Sequence, residues 1–249
     1  MSRRLSPMTG IAGVLVLGGA VGLFRSRTSP PDDLPECDPG APECEVGVQA
    51  QTAQEGPLNG PLPASEVCRN VGYLCEPLEL NEQMRLQRWK DFSGTIVIHV
   101  PRPSFESAAD GARLQQAAMS GLRAWNSQPY EILTDLNGDR TAHFAVTWTR
   151  NLVGSQLGVA RTRWSEATGL QVVSLELATR WPYDGNRVID PQQVRLTAAH
   201  EMGHVLGLPH SGAENDVMYP SNTATSLSAQ DYRTMESLYN MPDGTQIVR

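Results

Sequence analysis

Histidine is scarce in this chain, with five in 249 residues. Cysteine is scarcer, at four, and no two form a Cys-x-x-Cys pair. That absence argues against a cysteine-based structural zinc site. There is no basic run and the formal net charge is −7, which argues against nucleic acid as a partner. Long apolar runs are missing too. The uncharged stretch Ile11–Phe24 is shorter than the roughly 20 residues a membrane-spanning helix needs. There is no internal repeat. The remaining composition, 40% hydrophobic and 19% charged, is ordinary for a globular protein with a real core.

Three regions differ in character. Arg3 and Arg4 precede Ile11–Phe24, and a basic start before a short apolar run is an export pattern. No clean small-x-small cleavage site precedes Arg25, so residues 1–27 are expected to be a signal peptide or an uncleaved membrane anchor. The expected location is therefore secreted, periplasmic or extracellular, with a membrane tether as the alternative. Residues 28–80 are rich in proline and glycine, lack apolar periodicity, and are expected to be a linker. This segment holds Cys37, Cys44, Cys68 and Cys75. An even number in an exported chain suggests disulfides, and the matched spacing favours Cys37–Cys44 and Cys68–Cys75 among the possible pairings. Residues 81–249 are expected to form the folded domain.

Within that domain the patterning is regular. TIVIHV (95–100), AHFAVTW (142–148), LGVARTRW (157–164) and QVVSLELAT (171–179) read as strands. Residues 107–127 and 191–206 read as helices. Ser228 and Asp231 form a capping pair ahead of a last helix carrying Met235 and Leu238.

The segment AAHEMGHVLGLPHS (198–211) concentrates His200, His204 and His210. His200 and His204 are one helical turn apart and share a face. On a continuing helix His210 would lie roughly 9 Å further along the axis. Gly207 and Pro209 allow the chain to stop and turn back instead. Three neutral imidazoles can bind one zinc and leave a tetrahedral position open, the mark of a catalytic site. Water held there would be acidic near neutral pH, and Glu201 stands beside it as general base and acid for peptide hydrolysis. His99 and His143 each stand alone in a strand and read as ordinary histidines. Asp135, Asn137 and Asp139 read as a polar turn, with calcium binding as the alternative, since the distal glutamate of an EF-hand loop is missing.

The run from His200 to His210 resembles the metzincin zinc-peptidase motif H-E-x-x-H-x-x-G-x-x-H. Asp216-Val217-Met218-Tyr219-Pro220 resembles the methionine turn of those families. Ser211 and the Met-Tyr-Pro order are similar to the matrixin, or matrix-metalloproteinase-like, branch. LQQAAMSGLRAW and LSAQDYRTMESLYN resemble its first and last helices, so the likeness covers roughly residues 85 to 242. The resemblance implies an α+β fold: a twisted, mostly parallel five-stranded sheet, a backing helix, the zinc helix and a C-terminal helix. It implies a zinc-dependent endopeptidase acting on peptides or proteins laid along an edge strand, here Leu157–Arg161. A narrow-specificity processing enzyme and an inactive zinc-dependent peptide-binding module are the competing readings. Two departures stand out. Only His143 is available for the second, structural zinc of animal matrixins, so one zinc is expected. Pro35-Glu36-Cys37-Asp38-Pro39 has acidic residues where the latency motif P-R-C-G-x-P-D has arginine and glycine, so no cysteine switch is expected.

Overall fold

The computed structural model describes residues 60–90, 94–126 and 131–249. In chain order its elements begin with strand β1 (Leu62–Pro63), helix α1 (Ala64–Val67), β2 (Gln83–Arg85), β3 (Thr95–His99), α2 (Ala108–Leu122), β4 (Glu131–Asp135) and β5 (Phe144–Thr149). They continue with β6 (Gly158–Ser165), β7 (Gly169–Ala178), β8 (Arg180–Trp181), β9 (Asp184–Val188), α3 (Pro191–Leu206), α4 (Ala229–Tyr239) and β10 (Gln246–Val248).

Five strands form the main sheet in the order β4-β3-β5-β7-β6. All neighbours are parallel except β6, which runs antiparallel to β7 and ends the sheet. Side chains alternate between the two faces of a strand. Ile96 and Ile98 of β3 therefore share a face, and both are fully buried. Val146 and Trp148 of β5 lie opposite Leu175 and Leu177 of β7, and all four are buried. The result is the metzincin-like α+β architecture that the resemblance implies.

Helices α2 and α3 pack closely because Gly121 lacks a side chain. A Cβ there would overlap the Arg195 carbonyl oxygen. Trp125, fully buried, donates from Nε1 to the Ala199 carbonyl at 2.7 Å and ties the end of the α2 segment to the middle of α3. Asp190 caps α3 by accepting from the Gln192 amide, and Pro191 opens the first turn, where its missing N–H costs nothing. Ser228 and Asp231 form the expected capping box on α4.

The described part of the 28–80 segment is not a linker. β1 pairs with β10 (Leu62 with Ile247), and β2 pairs with the other side of β10. Tyr73, Leu74 and Leu78 are buried in the main core, and Cys68 is bonded to Cys75. The reason is apolar content without period: VGYLCEPL supplies enough buried surface to dock, while its turns hide any helical or strand rhythm. The folded unit thus starts before residue 81, and residues 60–80 form an N-terminal arm of it. The disulfide closes a short loop, which in the chain-entropy account stabilises by about 2–3 kcal/mol. Replacing both Cys68 and Cys75 by serine is expected to lower the unfolding free energy by about that amount. Denaturant titration checks this, and an unchanged midpoint would contradict it. Residues 1–27, Cys37 and Cys44 lie outside the described residues. Among the described residues no helix is long and apolar enough to cross a membrane.

Candidate metal centre

Helix α3 carries His200, Glu201 and His204 in its last two turns and stops at Gly207. This glycine is left-handed, with φ +97°, and its amide closes onto the His204 and Gly203 carbonyls. It also faces the Gln87 carbonyl so closely that a Cβ would overlap it. The chain then turns back and brings His210 to the other two histidines. Their candidate ligand atoms all lie within 4.8 Å of one another. Ring centroids are 4.8–5.3 Å apart.

The rings are held from behind. His200 donates Nδ1–H to the Val217 carbonyl at 2.7 Å, and His204 donates Nδ1–H to the Leu208 carbonyl at 3.0 Å. Those bonds select the tautomer that leaves an Nε2 lone pair facing inward. The Nε2 atoms of His204 and His210 stand 3.2 Å apart. Two nitrogens each about 2.0–2.1 Å from one tetrahedral zinc would be separated by about 3.3–3.4 Å. The donor set therefore fits zinc in chemistry, and the His204–His210 pair fits it in spacing. Burial, its leading cause, pushes the His200 pKa down to about 4. Burial also lowers the His204 and His210 pKa values, His204 most strongly. All three imidazoles are therefore neutral at pH 7, the form that ligates metal.

Glu201 is buried, and burial pushes its pKa up to about 7 against the lowering effect of a hydrogen bond from the Ala160 amide. That bond, 2.7 Å to Oε2, fastens the carboxylate to the edge strand β6. Gly158 makes room, since a Cβ there would come 2.7 Å from Glu201 Cγ. A buried carboxyl poised near neutrality beside three neutral imidazoles is an arrangement able to exchange a proton close to a bound ion.

Met218, in the turn that follows, is fully buried. Its sulfur occupies the space that a side chain at position 203 would need. The glycine within the motif is thus a packing partner of the methionine turn, a pairing that the motif spacing does not reveal. Gly203→Ala is expected to destabilise the fold by about 1–3 kcal/mol through overpacking. Thermal unfolding checks this, and a melting temperature equal to wild type would contradict it.

The other histidines stand apart. Val97 donates its amide to His143 Nδ1 at 3.0 Å, and His143 meets Trp89 edge-on. His99 Nδ1 lies 3.2 Å from the Asp135 carbonyl. Asp135 accepts from the Asn137 and Arg140 amides, and these bonds hold its carboxyl below the usual range. That is the polar turn. Among the described residues, His200, His204 and His210 are the one group of three or more potential ligands close enough to share an ion.

A five-stranded sheet ending in an antiparallel edge strand, a histidine triad on a helix and its return turn, and a buried methionine packed on that helix are the features that the metzincin resemblance implies. Comparison with known proteins points the same way. Residues 136–240 match the matrixin peptidase family. Stromelysin-3 of Rattus norvegicus is 30% identical over 143 residues, 53% of this chain and 28% of that protein. Macrophage metalloelastase of Oryctolagus cuniculus is 44% identical over 57 residues, 20% of this chain and 12% of that protein. Matrix metalloproteinase-26 of Homo sapiens is 43% identical over 49 residues, 18% of this chain and 19% of that protein. The chain spans less than a third of the length of each of these relatives. Over the matched residues the chain is similar to the matrixins, the matrix metalloproteinase-like branch of the metzincins.

Proposed function

We propose that this chain is an exported zinc-dependent endopeptidase, with His200, His204 and His210 as ligands of one zinc and Glu201 as general base and acid. The observation that carries this reading is the convergence of the three histidines, two with their tautomers set, beside a buried carboxylate. When bound, zinc would supply Lewis acidity to the scissile carbonyl and to the attacking water. Glu201 takes the proton released by that water and delivers it to the leaving amine. The peptide lies along the outer edge of β6, where main-chain bonds align it past the site. Met218 supports the imidazoles from below and takes no part in proton transfer. Residues 1–27 act as the export signal or anchor, and residues 60–249 contain the peptidase unit.

The test is turnover of a mixed peptide library by the full chain, with products identified by mass spectrometry. Cleavage at internal bonds, lost with a chelator, is the expected result. Zinc binding without any cleavage would overturn the endopeptidase reading in favour of a peptide-binding module, and cleavage confined to one sequence would mark a processing enzyme.

A further inference from the structure

We propose that Tyr73 is a positioning residue for the metal centre: its phenol, acting through Asp231, sets the backbone that holds the His200 ring. The proposal rests on the three histidines being zinc ligands, and it adds a role for the N-terminal arm.

The connection is short and buried throughout. Tyr73 and Asp231 are both fully buried, and the Tyr73 hydroxyl donates to Asp231 Oδ1 at 2.9 Å. Asp231 Oδ2 accepts from the Val217 amide at 2.9 Å and from the Ser228 amide at 2.8 Å. The Met218 amide lies 3.5 Å from Oδ1. The Val217 carbonyl in turn accepts from His200 Nδ1 at 2.7 Å. One carboxylate and one residue of backbone thus separate the phenol from the imidazole. Asp216, the preceding residue, accepts from the hydroxyls of Ser211 and Ser228, both at 2.5 Å, so the turn is clamped on two sides. A buried carboxylate deprived of one donor shifts toward those that remain or admits water. Here the remaining donors belong to the turn under the metal.

The arm is built to present that hydroxyl. Gly72 is left-handed, with φ +63°, and a side chain there would overlap the Thr234 hydroxyl. The Tyr73 amide donates to Thr234 Oγ1 at 3.1 Å. The Cys68–Cys75 disulfide brackets the loop. Burial above all, and then the charge of Asp231, hold the phenol pKa far above its ordinary value, so it stays a donor. Further along, Glu76 Oε2 accepts from the Gly212 amide at 2.7 Å, two residues past His210. The arm therefore contacts both the helix behind the Met218 turn and the chain just past His210.

Tyr73→Phe in the full chain removes the hydroxyl and little else. Zinc affinity is measured by chelator competition, at a temperature where each variant is folded. The expected result is a loss of about tenfold, the low end of the 10–100-fold seen when an outer partner of a metal ligand is removed. Peptide turnover should show a lower kcat with KM unchanged. Thr234→Val removes a different tie of the arm, the one at the Tyr73 amide, and leaves the phenol; it should lower Tm and leave zinc affinity unchanged. Should Tyr73→Phe not fold, Asp231→Asn is the second variant, expected to weaken zinc in the same direction. Wild-type affinity in Tyr73→Phe, or in a folded Asp231→Asn, would overturn the proposal. An equal loss in Thr234→Val would overturn it too, because general loosening of the arm would then be the cause. A wild-type chain that binds no zinc would instead sink the underlying ligand reading, and this proposal with it.

Discussion

Replacing Glu201 by glutamine is expected to cut peptide cleavage by about 10²–10⁴-fold while the chain still holds its zinc. Glutamine keeps the volume and an oxygen to accept the Ala160 amide, so the packing against β6 survives. What disappears is the group proposed to take and return a proton. The pH profile gives a second signature. Burial places the Glu201 pKa at about 7 in the metal-free site. A nearby cation stabilises the carboxylate and lowers that value. A general base works deprotonated, so kcat/KM should fall as pH drops through the Glu201 pKa, with the acid limb at or below about pH 7. Glu201→Gln should lose that limb along with the activity. Near-normal cleavage by a zinc-loaded Glu201→Gln chain would remove Glu201 from the mechanism.

His204→Ala is expected to behave in the opposite sense: the metal goes first, and activity goes with it. Only His200 and His210 would remain as ligands, and the alanine offers nothing to the space between them. Zinc affinity should fall by more than the roughly hundredfold ceiling typical of changes to outer partners. Met218→Leu should be far milder, because the Met218 side chain fills space against Gly203. The variants thus separate a ligand, a proton carrier and a packing residue within one small volume. A folded His204→Ala chain that held zinc as tightly as wild type would contradict the ligand assignment.

The sequence made the centre of the fold readable because several local signals coincide there. Helix α3 runs over the expected residues, since Asp190-Pro191 at one end and Gly207 at the other leave little freedom. β3, β5, β6 and β7 emerge from β-branched or alternating runs whose apolar faces all meet one core. Strand β4 was not legible. EILTD is short and mixed, and its pairing with β3 is decided by a partner over thirty residues upstream. The exposed hairpin β8–β9 had no apolar rhythm to reveal it. The arm from residue 60 reads as a linker in sequence because its proline and glycine are frequent and its apolar residues keep no period. Only the tertiary contacts of Tyr73 and Leu74 show that it is core. The same limit hid the Gly203–Met218 contact and the Tyr73–Asp231 link, whose partners lie 15 and 158 positions apart in the chain.

The most direct test of the account is metal analysis of the well-dialysed full chain, combined with peptide cleavage as zinc is stripped by a chelator and then restored. The account predicts one tightly held zinc per chain, with cleavage falling in proportion to its removal and returning on its addition. Cleavage that persisted in the zinc-free chain, or a second zinc held as tightly as the first, would contradict it.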